Sequence, residues 1–135
     1  MLGSFAAPDD GKPRQHFERG WHCLGPADAY RDGQPHRLDV FGTRLAAYGG
    51  EDGRIHILDA WCPHMGGDLS SGIVSGNSLI CPLHAWSWGA DGFCDHIPYG
   101  HRLPPRARVK SWPTREQDLM LFVWYDPEGN PPPSV

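Results

Sequence analysis

The residues able to do chemistry concentrate between positions 62 and 84. Cys62-Pro63-His64 opens this stretch, Cys81-Pro82-Leu83-His84 closes it, and sixteen residues separate His64 from Cys81. Each short motif holds one Cys and one His. Gly66 and Gly67 follow the first and Pro82 interrupts the second, so both read as turn-rich loops. Thiolate and imidazole are metal ligands. Two such loops would present their donors to one metal centre from opposite sides.

The mixing of ligand types narrows the centre. A Cys2His2 zinc finger keeps its cysteines together and its histidines together. A Rieske [2Fe–2S] centre needs the mixture, because one iron takes two Cys and the other two His. If each loop serves each iron, Cys62 and Cys81 hold one and His64 and His84 the other. A structural zinc site and four unrelated residues are the competing readings.

The loops need a framework, and short strands supply it. Phe17–Leu24 reads as a first strand, and Pro26–Tyr30 as one helical turn. Leu38, Val40 and Phe41 suggest a strand that turns at Gly42 and returns over Thr43–Tyr48. Asp52-Gly53 signals a further hairpin. Ile55–Ala60 fits a strand buried on both faces and leads into the first loop. Ile73-Val74 and Leu79-Ile80 are short strands between the loops, and Ala85–Trp88 is a strand after the second. Asp91-Gly92 signals a turn before Phe93-Cys94. Ala107–Trp112 and Leu119–Tyr125 are expected to form the last hairpin. No ten-residue helical period, internal repeat or Gly-rich phosphate loop occurs, so the fold class is all-β. Residues 1–16 read as an arm, 17–126 as the domain, and 127–135 as a proline-rich exit segment.

Bulk properties exclude several functions. The chain has 135 residues, enough for one domain with a core. Its 12 basic and 16 acidic residues leave a net charge of −4, against a general nucleic-acid binder. The longest apolar run, Leu119–Tyr125, is seven residues, far short of a membrane span. Met1–Asp10 has neither a basic start nor an apolar run, and a reducing cytoplasm is the expected location. Cys23 and Cys94 read as small buried hydrophobes rather than ligands. His96 and His101, near Asp91 and Asp95, read as surface histidines. Arg102, Arg106, Arg108, Lys110 and Arg115 form a basic stretch with two readings, a docking surface or a solvated strand face. Trp86 and Trp88 either shield the centre or simply pack the core.

Further runs carry a resemblance. Gly20-Trp21-His22-Cys23-Leu24-Gly25, His64-Met65-Gly66-Gly67-Asp68-Leu69-Ser70, Trp86-x-Trp88-Gly89, Pro98-Tyr99, Leu121-Phe122-Val123-Trp124 and Glu128-Gly129-Asn130-Pro131-Pro132 join the two ligand motifs. Together they resemble the Rieske domain of ring- and steroid-hydroxylating oxygenases, and within them the ketosteroid 9α-hydroxylase oxygenase components. The resemblance runs from about Phe17 to Pro132 and covers the front third of such an oxygenase. It implies three stacked sheets with a [2Fe–2S] cluster at one tip, held by Cys62, His64, Cys81 and His84. It implies a flavin or iron–sulfur reductase as electron donor. In the family, a second domain with a mononuclear iron on two His and one carboxylate does the oxygen chemistry. These 135 residues do not supply that site. The expected role is one-electron transfer, either as the Rieske domain or subunit of a ketosteroid-hydroxylase-like oxygenase, its catalytic site on a separate chain or past the domain boundary, or as a stand-alone Rieske ferredoxin. A non-redox scaffold that keeps the fold is the third reading, and the four intact ligand residues count against it.

The resemblance also bears on the potential. High-potential Rieske proteins carry an extra Cys in each ligand loop, joined as a disulfide, and a Ser hydroxyl that bonds cluster sulfur. Here those loop positions are Gly67 and Leu83, and Trp86 stands two residues past His84. Fewer hydrogen bonds to sulfur leave its negative charge less stabilised. The expectation is the low end of a range of roughly −150 to +300 mV.

Overall fold

The computed structural model describes residues 17–63, 66–98 and 107–133. His64, Tyr99, His101, Arg102, Arg106 and the 1–16 segment lie outside the described residues. The described strands are β1 (Gly20–Pro26), β2 (His36–Val40), β3 (Thr43–Gly49), β4 (Ile55–Asp59), β5 (Ile73–Ser75), β6 (Ser78–Ile80), β7 (Ser87–Trp88), β8 (Cys94–His96), β9 (Ser111–Trp112), β10 (Thr114–Gln117) and β11 (Met120–Tyr125). They form three antiparallel sheets, ordered β1-β11-β10, β2-β3-β4-β9 and β5-β6-β7-β8. Among the described residues, two short 3-10 turns, Ala27–Tyr30 and Leu69–Ser71, accompany the strands. The chain is all-β, and among the described residues no helix is long and apolar enough to cross a membrane.

The middle sheet is covered on both faces, and strand geometry explains how. Successive side chains of a strand point to opposite faces. In β3, Leu45 and Ala47 enter one core with Ile55, Ile57, Trp112, Leu121 and Val123. Ala46 and Tyr48 enter the other, with Leu58, Leu69, Leu79 and Trp88. All four of Leu45–Tyr48 are fully buried, and the expectation of a doubly buried Ile55–Ala60 segment holds as well. Tyr48 reaches across the second core and donates its hydroxyl to the Asn77 carbonyl at 2.8 Å, which ties the middle sheet to the β5–β6 turn. Burial pushes its phenol well above the ordinary range.

Three local expectations need correction. The first strand runs Gly20–Pro26 rather than Phe17–Leu24. Only Ser87–Trp88 of the Ala85–Trp88 segment is strand. The last hairpin is β10–β11, not Ala107–Trp112 with Leu119–Tyr125. Its two-residue turn is Asp118-Leu119, both at positive φ (54° and 69°), so Leu119 is an exposed turn residue rather than the start of a strand. β9 instead extends the middle sheet, pairing Ile57 with Trp112 and Leu58 with Ser111. The Trp112 indole N–H donates to Asp59 Oδ1 at 2.8 Å and pins that register.

Candidate metal centre

The first loop leaves β4 and is closed by backbone pairing. The Ala60 N–H donates to the Arg44 carbonyl of β3, and the Leu69 N–H returns to the Ala60 carbonyl at 2.6 Å. Trp61 and Asp68 form an isolated bridge between these bonds. Inside it, the Cys62 N–H donates to the Gly67 carbonyl and the Gly66 N–H to the Cys62 carbonyl, both at 2.8 Å. Asp68 then caps the Leu69–Ser71 turn, its Oδ1 accepting from the Ser70 N–H at 2.9 Å and the Ser70 hydroxyl at 2.6 Å. Its other oxygen accepts from Arg44 Nη1 at 2.7 Å. Burial works to raise the Asp68 carboxyl, but the Ser70 and Arg44 donors outweigh it and hold the group below its ordinary value.

The second loop joins β6 to β7 and is closed by the Cys81 N–H donating to the Trp86 carbonyl at 2.8 Å. His84 and Ala85 both adopt left-handed backbone conformations, with φ of 63° and 58°. Non-glycine residues rarely do this, and such strain concentrates where a loop must aim a side chain. Here it carries His84 outward while the chain still returns to β7. Ala85→Gly should relieve about 1–2 kcal/mol of strain against about 0.4–1 kcal/mol of added unfolded-state entropy. The expected net is a stabilisation of about 0.5 kcal/mol, read as a higher urea midpoint at constant slope. A lower midpoint would show that the strain at Ala85 is relieved elsewhere.

The two loops bring Cys62 and Cys81 together. Both are about 1% exposed, and neither forms a disulfide. The Leu83 N–H donates to Cys81 Sγ at 3.4 Å. Burial pushes the Cys81 thiol up, the Leu83 bond works against it, and neighbouring Cys62 adds to the rise. Two adjacent buried sulfurs, one from each loop, are a donor pair for a cation that displaces their protons. Gly67 leaves the space they need: a Cβ there would lie 2.5 Å from Cys81 Sγ. This donor pair fits an iron–sulfur group. His84 is exposed on the same loop as Cys81, beside the exposed Leu83. Trp88 is fully buried in the core that holds both thiols, and Trp86 packs against that core.

The remaining candidates separate. Cys94 is buried as expected, in the core shared with Cys62 and Cys81. Cys23, expected to be buried, is exposed on β1; the next residue, Leu24, points to the other face and packs half-buried against the core. His96 is exposed. In the basic stretch, Arg108 lies over the Phe93 ring at 5.1 Å, Lys110 over Trp112 at 3.9 Å, and Arg115 over Trp21 at 5.0 Å. The part of Arg44 at the base of the first loop was not legible in the sequence. A weak signal lay in Asp68-Leu69-Ser70, the side-chain pattern of a capped turn.

Comparison with known proteins agrees with this geometry. A family model described as "Rieske [2Fe-2S] domain" matches residues 20–113. The chain is 52% identical over 124 residues to a 3-ketosteroid-9-alpha-monooxygenase oxygenase component of Rhodococcus rhodochrous, covering 92% of this chain and 32% of that protein. It is 48% identical over 124 residues to the oxygenase component of the same name from Mycobacterium tuberculosis, again covering 92% of this chain and 32% of that protein. A crystal structure of dicamba monooxygenase superposes with a TM-score of 0.73 at 29% identity, over 84% of this chain and 38% of that one. The chain spans about a third of the length of these relatives. The family match takes in both Cys/His loops and the sheets that carry them, and on that ground the chain belongs to the Rieske [2Fe–2S] domain family.

Proposed function

We propose that Cys62 and Cys81 hold one iron of the Rieske cluster through their thiolates and that His64 and His84 hold the other through ring nitrogens. The observation that carries this reading is the pairing of two buried thiols, one from each loop, over the space left by Gly67. The bound cluster supplies one-electron uptake and release. The chain's own residues set its surroundings. The core around Leu69, Leu79 and Trp88 keeps water from the thiol side. The Leu83 N–H offers charge stabilisation to Cys81 sulfur. The exposed His84 places the imidazole side where a partner can reach it.

In this reading the domain passes electrons from a flavin or iron–sulfur reductase to a mononuclear-iron site elsewhere in a ketosteroid-hydroxylase-like oxygenase. The similarity to oxygenase components supports that assignment. The site would lie on a separate chain or a further domain, and a steroid would be its substrate. The basic residues Arg108, Lys110 and Arg115 are the proposed contact for an acidic partner face.

The test is metal and sulfide analysis of the purified chain with potentiometry. Two irons and two sulfides per chain are expected, with a midpoint toward the low end of about −150 to +300 mV. Cys81→Ser should remove both irons. One zinc per chain, or a colourless iron-free protein, would sink the ligand assignment. A pull-down from the host that recovers a third iron on a stoichiometric partner chain would support the oxygenase reading over a mobile ferredoxin.

A further inference from the structure

Arg44 does more than join two strands. It stands on β3 opposite Asp39 of β2, and its carbonyl receives the Ala60 N–H where β4 runs into the first ligand loop. Its guanidinium then turns toward the loop itself. Nη1 meets Asp68 Oδ2 at 2.7 Å and Nε meets Asp39 Oδ1 at 3.3 Å. The guanidinium carbon lies 4.9 Å from the centre of the Trp61 ring. Trp61 immediately precedes Cys62, and Asp68 immediately follows Gly67, whose carbonyl holds the Cys62 N–H. One planar cation therefore touches the residue entering the loop and the residue leaving it. The Arg44 and Asp68 side chains are 23% and 19% exposed, so this pair is partly shielded from water.

A lysine could not make the same set of contacts. The guanidinium is a rigid fork that bonds two carboxylates and still offers a flat face to an aromatic ring. An ammonium is a point charge on a flexible stem.

We infer that Arg44 is a positioning residue for the cluster: it fastens both ends of the first ligand loop and balances the Asp68 carboxylate at the loop base. The inference rests on the ligand set proposed above. It has two separable parts. The fork and ring contact hold the loop's shape, which controls how firmly iron is retained. The charge balance with Asp68 biases electron uptake, since an uncompensated carboxylate near the centre opposes added negative charge.

The experiment compares the iron-loaded 135-residue chain with Arg44→Met, Arg44→Lys and Asp68→Asn. It measures iron release to a chelator, midpoint potential and thermal transition. Outer contacts of metal ligands are commonly worth 10–100-fold in affinity, so Arg44→Met should release iron about tenfold faster. Its midpoint should fall, and that of Asp68→Asn should rise. Arg44→Lys should keep the wild-type midpoint yet release iron faster than wild type. A merely structural residue would lower the thermal transition in every variant without opposite shifts in potential. Wild-type release rates and midpoints in both Arg44 variants overturn the inference. If Arg44→Met does not fold, Arg44→Lys decides by its release rate. A wild-type chain without iron overturns the ligand assignment, and this inference with it. An iron-loaded wild type with indifferent Arg44 variants overturns the inference alone.

Discussion

Gly67→Ala is expected to strip iron from the chain while leaving its thermal transition nearly in place. The methyl group would sit 2.5 Å from Cys81 Sγ and 3.3 Å from Leu83 Cγ. Contacts that short do not persist, so something must move. The Gly67 backbone has little freedom, because its carbonyl holds the Cys62 N–H at 2.8 Å. The Cys81 side chain is the softer partner, and its rotation would carry one proposed iron ligand away from the other. A displaced first ligand costs more than a lost outer contact, so retention should fall by well over tenfold. The global fold should lose little, because the three sheets do not depend on that rotamer. Iron per chain and chelator release rate read the effect, with thermal melting as the control. Two irons held as tightly as in wild type would mean that Gly67 is only a turn residue.

Gly92→Ala should produce the largest loss of stability. Gly92 ends the turn between β7 and β8 with φ of 89°, where a side chain is strained whatever the space. Its carbonyl also accepts the Val109 N–H at 2.8 Å, and an added Cβ would fall 2.1 Å from the Val109 carbonyl oxygen. Strain and clash act together here. Left-handed backbone costs about 1–2 kcal/mol, and overpacking about 1–3 kcal/mol. The expected destabilisation of about 3 kcal/mol is a large share of a small domain's stability of about 5–15 kcal/mol. Urea denaturation at equilibrium measures it. Gly33→Ala is the matched control: φ is 78° with nothing within 4 Å, so only the strain applies. Equal losses at the two positions would show that the Val109 approach relaxes without cost. The expected loss spreads beyond the turn, because the Cys94 N–H bonds the Ala107 carbonyl and Phe93 bridges to Arg108 on the same segment.

Features set by neighbours in the chain were legible in the sequence. The return at Gly42 over Thr43–Tyr48, the turn at Asp52-Gly53 and the doubly buried Ile55–Ala60 follow from turn chemistry and apolar patterning. Both are properties of a few adjacent residues. The two Cys/His motifs were legible for the same reason, since ligand type and spacing are local.

What depended on distant segments was not. Trp112 pairs with Ile57 rather than joining a hairpin with β11, and its indole N–H is held by Asp59 of β4, 53 residues away in the chain. Leu119 looked like a strand residue by its apolarity, yet it serves as a turn residue because Met120 already pairs with Gln117. Cys23 looked buried by residue type, but a one-position shift along a strand exchanges its faces. Arg44 and Asp68 are 24 residues apart and met only when β3 packed beside the first loop. The sequence by itself determined the pairing of two Cys/His motifs, the all-β class and most hairpins. Tertiary structure alone decided that two thiols meet over Gly67, which strand closes each sheet, and which cation fastens the loop, because each depends on packing between segments that no local pattern connects.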